Sequence, residues 1–256
     1  MRIAVLLTGF YRPYCDYETN IKSLFDEIPN VEIDLFFTTW HDPLLTSLKH
    51  ENYKVVDIES QSIYVNDIYN HSEYISFVNR YKNETPLYKK WSLCGESPAK
   101  YNTPFIYYKL NRGLNIIKKY SLYNNIKYDL ILKTRTDISM QGNFSENYIN
   151  DMHDDGLYVK QITYNNITDF KGCQEYCEYT NNWIDDTFYF FKFNTLDNIK
   201  DVYQHYYNIS VENNTWITHV ILDKYFKKNN IKIYDHNFNV FVIRKDSWYQ
   251  PHFYLY

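Results

Sequence analysis

The chain opens on a continuous apolar run, "RIAVLLTG", in which Ile3 to Leu7 carry no polar side chain and Thr8-Gly9 end the run at once. A run without alternation is the pattern of a strand covered on both faces, and such strands belong to parallel sheets with helices on either side. The next segments repeat the constraint. Tyr17 to Ile28 sets Ile21, Leu24, Phe25 and Ile28 on one helical face and stops at Pro29-Asn30. Ile33 to Thr39 is a second buried run, ending at Trp40-His41-Asp42, and Lys54 to Ile58 is a shorter, half-polar third. Strand, helix and strand with short connections make right-handed crossovers that build a parallel sheet, so the fold class is α/β.

Further along, Asn102-Thr103-Pro104 opens the longest helix, Pro104 to Tyr120, with Phe105, Tyr108, Leu110, Leu114 and Ile117 inward and the proline in its first turn. It leads into a buried strand at Tyr128 to Leu132. The second half predicts strands at Leu157–Val159 and Thr187–Phe191, helices at Thr195–Tyr206 and Thr215–Lys228, and strands at Lys232–Tyr234 and Val240–Ile243. Residues 61–100 are rich in Tyr, Asn and Ser and weakly periodic, with a helix around Glu73 to Tyr81, and read as an insertion over one end of the sheet. With 256 residues, 45% of them hydrophobic, and no internal repeat or linker, the chain reads as one domain, 1–256.

Composition narrows the partners. A net charge of -4 and a pI near 6.1 give no reason to expect a nucleic acid. No apolar run reaches the length of about 18 residues that a membrane span needs, and the N-terminus enters a strand rather than a signal peptide, so no transmembrane segment and a cytoplasmic location are expected. Cys15, Cys94, Cys173 and Cys177 lack a second pair at zinc-ribbon spacing, and free thiols are expected. The 29 tyrosines, with abundant Asn, Ile and Lys, are the mark of an AT-rich genome, which discounts both the Asn-x-Ser/Thr triplets and any aromatic stacking platform.

In open α/β sheets ligands bind beyond the carboxyl ends of the strands. Three such ends carry polar clusters: Thr8-Gly9-Phe10-Tyr11-Arg12-Pro13, then Thr38-Thr39-Trp40-His41-Asp42, then Lys133-Thr134-Arg135-Thr136-Asp137. Each has a plain structural reading, with Gly9 a turn residue, Arg12 a surface charge, Trp40 a core aromatic, and Arg135 with Asp137 an ion pair closing the strand. Their conjunction points instead to a ligand. Gly-x-Gly-x-x-Gly, the P-loop and the Gly-x-Ser-x-Gly elbow are all absent. An Arg from the first loop with an Arg and an Asp from a central strand suits a diphosphate, since guanidinium matches phosphate oxygens and a carboxylate can hold a divalent cation. Asp185 and Asp186, in "WIDDTFYF", could serve as a base toward a hydroxyl, although an Asp pair is also ordinary turn chemistry. Glu212 is a weaker acid of the same kind, and His252 reads as a surface residue.

"RIAVLLTGFYRPY", "IDLFFTTW", "NTPFIYYKLNRGLNIIKKY" leading into "YDLILKTRTDI", and "WIDDTFYF" together resemble GT-A-type glycosyltransferases of bacterial surface-polysaccharide clusters and large DNA viruses. The resemblance covers residues 1 to about 230. It implies a GT-A-like (Rossmann-like), mostly parallel sheet flanked by helices, and an enzyme moving sugar from a nucleoside-diphosphate sugar to a glycan or glycoprotein acceptor, in the host cytoplasm if viral. By the same resemblance Thr8, Gly9, Arg12, Trp40, Arg135 and Asp137 line the donor site, and Asp185 or Asp186 sits near the acceptor and is the base if the enzyme inverts. GT-A enzymes hold Mn2+ or Mg2+ through an Asp-x-Asp motif at this strand end. Here the motif is Arg135-Thr136-Asp137, so either Asp137 alone holds the metal or Arg135 neutralises the diphosphate without one. A nucleotidyltransferase-like enzyme and a non-catalytic nucleotide- or glycan-binding module are the alternatives.

Overall fold

The apolar runs do form strands of one sheet. A computed structural model describes residues 1–12, 14–60, 69–84, 99–163, 182–215 and 218–243. β1 (Arg2–Thr8), β2 (Glu32–Trp40), β3 (Val55–Glu59) and β4 (Leu130–Thr134) run parallel, with Val5 level with Leu35 on one side and Leu132 on the other. Their residues alternate between two cores. Ile3, Val5, Leu7, Leu35 and Leu132 pack on one face, while Ala4, Leu6, Phe36 and Ile131 pack on the other, which is why the runs show no polar alternation.

β6 (Gly156–Thr163), β7 (Asn182–Phe191) and β8 (Lys232–Tyr234) complete a seven-stranded sheet in the order β3-β2-β1-β4-β7-β6-β8. β7 is antiparallel to both neighbours, β4 and β6, whereas β6 and β8 are parallel. The sheet is therefore mostly parallel with one reversed strand, which agrees with the expected α/β class. β5 (Ile138–Gln141) and β9 (Asn239–Val242) make a separate antiparallel pair.

Helix α1 (Tyr17–Ser23) is capped by Asp16, whose carboxylate accepts from the Thr19 amide. It is shorter than expected because the chain tightens after Ser23: Leu24, Phe25, Asp26 and Ile28 donate to carbonyls three residues back, yet the same apolar residues stay in the core. α2 (His71–Glu84) falls in the expected insertion, of which 61–68 and 85–98 lie outside the described residues. α3 (Ala99–Asn124) starts before Pro104, which sits inside the helix rather than in its first turn. α3 crosses the sheet so closely that a Cβ on Gly113 would stand 2.5 Å from Leu6 Cδ1.

The remaining helices are α4 (Glu146–Asp151), α5 (Leu196–Lys200), α6 (Val202–Glu212) and α7 (Thr218–Lys228). The helix expected at Thr195–Tyr206 is thus two, broken at Asp201. No helix among the described residues is long and apolar enough to cross a membrane.

Candidate active site

Because β7 runs against the other strands, its beginning lies at the sheet edge where β1, β2 and β4 end. That geometry brings residues near position 10, near 135 and near 185 to one rim. The first loop turns at Gly9, whose φ of +106° is a conformation that L side chains rarely adopt, and whose amide donates to the Thr38 carbonyl at 3.2 Å. Two residues beyond Tyr11's neighbour Phe10, the Arg12 amide donates to Thr136 Oγ1 at 2.8 Å, and that hydroxyl in turn donates to the Phe10 carbonyl at 3.4 Å. The loops after β1 and β4 are stitched together there.

Asp137 is the centre of the stitching and is only 1% exposed. Arg135 grips it in fork geometry, Nε to Oδ1 at 2.8 Å and Nη2 to Oδ2 at 2.7 Å, and Arg12 Nη1 reaches Oδ2 at 3.4 Å. The two guanidinium side chains remain 31% and 39% exposed. A buried carboxylate thus stands behind two accessible cations, each with N–H donors left over. The sequence allowed Asp137 to hold a divalent cation, but its donor set does not fit one. Both of its oxygens already accept from Arg135, a bound cation would face the two guanidinium charges, and no group of three metal-ligating side chains occurs among the described residues.

Across the rim, β7 carries a bulge. Val159 pairs with Tyr189 and Gln161 with Ile184, so β7 spends five residues where β6 spends two, and Asp185 to Phe188 loop out of register. Asp185 folds back on Thr187: Oδ1 accepts from the amide at 2.8 Å and the hydroxyl at 2.6 Å, and Oδ2 accepts from the same hydroxyl at 2.8 Å. Burial, and then the neighbouring charge of Asp186, push the Asp185 carboxyl up to about 6. The Asp186 carboxylate accepts no hydrogen bond from a described side chain or amide, while its charge acts on Arg135, Lys133, Tyr107 and His219. Burial opposes the charge of Arg135, but Asp137, Asp186 and Asp185 outweigh it, so the guanidinium is held more firmly than usual.

Asp185 yields a stability prediction. A carboxyl that binds its proton more tightly folded than unfolded costs stability as pH rises from about 4 to about 6, and the full penalty remains above that window. Asp185→Asn removes the charge but keeps an oxygen for the Thr187 amide. It should raise the unfolding free energy by on the order of 1–3 kcal/mol at pH 7.5 and leave it unchanged at pH 4. Urea unfolding at both pH values checks this, and a variant less stable than the parent at pH 7.5 would mean that the bonds from Thr187 to the charge outweigh its burial.

Several sequence candidates fall elsewhere. Trp40 is 3% exposed, stacked on Tyr108 with centroids 5.9 Å apart, with Lys109 Nζ 4.2 Å above its ring. It is a core aromatic beneath the buried Lys109–Glu59 pair, not a platform on the rim. Thr8 ends β1 largely buried. Glu212 ends α6 and pairs with Lys228 at 2.7 Å. His252, Cys94, Cys173 and Cys177 lie outside the described residues, and Cys15 is a free thiol. Sequence reasoning assigned no role to Thr136 or Lys133. The signal for Lys133 was a lysine in an otherwise apolar strand, "LILKT", where both faces are covered.

The fold and site define an α/β protein with two part-exposed arginines on a buried aspartate and a pair of adjacent aspartates at one sheet edge. No family model matches the chain, and no curated protein matches it. Among solved structures it is similar to mouse xyloside xylosyltransferase 1, apo form, with 8% identity, a TM-score of 0.44, and coverage of 93% of this chain and 86% of that one. It is similar also to galactosyltransferase LgtC in complex with donor and acceptor sugar analogs, with 11% identity, a TM-score of 0.44, and coverage of 93% and 73%.

Proposed function

We propose that the protein is a glycosyltransferase that moves a sugar from a nucleoside-diphosphate sugar to a hydroxyl of a glycan or glycoprotein acceptor. The observation that carries this reading is the buried Asp137 aiming two part-exposed arginines at the rim, opposite a carboxylate free of hydrogen bonds from described residues. Arg12 and Arg135 bind the donor diphosphate through their remaining N–H groups and take up the charge that grows as it leaves. Asp137 fixes their directions. Asp186 takes the proton of the acceptor hydroxyl as that oxygen bonds to the anomeric carbon and the bond from that carbon to the diphosphate oxygen breaks. Gly9 lets the first loop approach the donor without a side chain in the way.

With two arginines in place of an acidic pair, the neutralising charge belongs to the chain itself, and sugar transfer should be insensitive to EDTA. The test is a thermal-shift panel of UDP-, GDP-, CMP- and dTDP-sugars, each with Mn2+ and with EDTA, followed by transfer assays on the donor that binds. A donor at a hundred times its dissociation constant stabilises the fold by about 2.7 kcal/mol, which such a panel resolves. Stabilisation by one nucleotide family, equal in both conditions, supports the reading. A shift seen only with Mn2+ would overturn the arginine assignment, and preferential turnover of nucleoside triphosphates would replace sugar transfer by nucleotidyl transfer.

A further inference from the structure

One buried charge near the rim has no part in the reaction as written. Lys133 lies in β4 between Leu6 of β1 and Tyr189 of β7, and is 4% exposed. Its Nζ donates to the carbonyl of Asp186 and to that of Thr187 at 3.5 Å, and stands 5.1 Å from the centre of the Tyr189 ring. Among the described residues no carboxylate oxygen comes within ion-pair distance of it. Burial of an ammonium without a carboxylate against it is costly, and an apolar side chain would fill the same strand position.

The geometry accounts for the charge. The β7 bulge takes the carbonyls of Asp186 and Thr187 out of the ladder, and Lys133 is the donor that satisfies them. Resting on the sugar-transfer reading, we infer that Lys133 is a positioning residue: it pins the bulge from below and sets a positive charge under the two adjacent carboxylates, so that Asp186 is held toward the acceptor hydroxyl. The groups facing this pair are Lys133 of β4, Arg135 and Asp137 of the following loop, Tyr189 of β7, Tyr107 of α3 and His219 of α7. Burial and then the charge of Asp186 raise the Asp185 carboxyl, while the bonds from Thr187 and then the charge of Lys133 lower it. Burial itself pulls the Lys133 ammonium down to about 8, so it is charged throughout the range in which the Asp185 carboxyl, pushed up to about 6, titrates.

Lys133→Met and Lys133→Arg in the full chain test the role. For Lys133→Met, turnover near pH 6.5 should fall about threefold, donor KM should stay within about twofold, and the acid limb of the kcat profile should move up by about one pH unit. Lys133→Arg keeps the charge and should keep the acid limb of the parent. Carboxyl NMR titration of Asp185 reads the loss of the Lys133 charge without any assay of transfer, so it decides the role of Lys133 even if no sugar is transferred, an outcome that would sink the function proposed above instead. An unmoved acid limb and unmoved carboxyl titrations in Lys133→Met overturn the inference. Should that variant fail to fold, the arginine variant decides: parental carboxyl titrations support the role, and raised ones reject it.

Discussion

Arg135→Met is expected to weaken donor binding about 10–100-fold and to destabilise the protein by about 3 kcal/mol. The first figure follows from removing a charge-assisted bond to phosphate, worth roughly 1.5–3 kcal/mol. The second follows from Asp137, which keeps only Arg12 at 3.4 Å once the fork on both of its oxygens is gone. Breaking a buried pair from one side costs about 3–5 kcal/mol, because the surviving charge stays buried. Arg135→Lys separates the two effects. Its single ammonium can pair with the buried Asp137 but cannot grip that carboxylate and a phosphate at once as the guanidinium fork can, so stability should recover more than affinity does. Denaturant unfolding and donor titration, run side by side, measure both. A donor dissociation constant within twofold of the parent in Arg135→Met would remove the arginine from the diphosphate site, whatever happened to stability.

Asp186→Asn should lower turnover by about a hundredfold to ten-thousandfold while leaving donor affinity in place, the range expected for the loss of a general base. The reasoning depends on the difference between two neighbours. Asp185 spends its oxygens on Thr187 and closes the bulge, whereas Asp186 has no described hydrogen-bond donor on its carboxylate and faces Arg135. Asp185→Asn should therefore cost turnover far less than Asp186→Asn does. Single-turnover assays with saturating donor make the comparison without interference from product release. Full turnover in both variants would mean that neither carboxylate takes the acceptor proton, and the larger loss in Asp185→Asn would reverse their roles.

Much of the sheet was legible because its strands are buried on both faces. Ile3 to Leu7, Ile33 to Thr39 and the Leu130 strand announce themselves as unbroken apolar runs, and their polar ends mark the rim. β5 and α4 were missed for a physical reason: four residues of strand with Ser139 and Gln141 partly outward, and a single helical turn and a half, carry too little periodicity. The proline at 104 misled the start of α3, since proline favours a first turn, whereas here it stands inside the helix and removes one interior hydrogen bond. Arg12, Arg135, Asp137, Asp185 and Asp186 were all visible as candidates, yet their relation was not. The contact of Arg12 with Asp137 spans 125 positions, and no local pattern says that the acid serves two arginines rather than a metal. Trp40 was ambiguous until its neighbours were known. The bulge at Asp185 to Phe188 is set by pairing with β6 and leaves no mark in the sequence.

The reversed strand β7 also dictates an order of events during synthesis. The cationic half of the rim comes from residues 9–137, all of which precede β6, while the carboxylates arrive on β7, which lies between β4 and β6. Synthesis runs from the N-terminus, so the nascent chain carries Arg12, Arg135 and Asp137 before Asp185 and Asp186 have been made. On the sugar-transfer reading, binding and chemistry are inherited from different stretches of polypeptide, joined when the last interior strand docks.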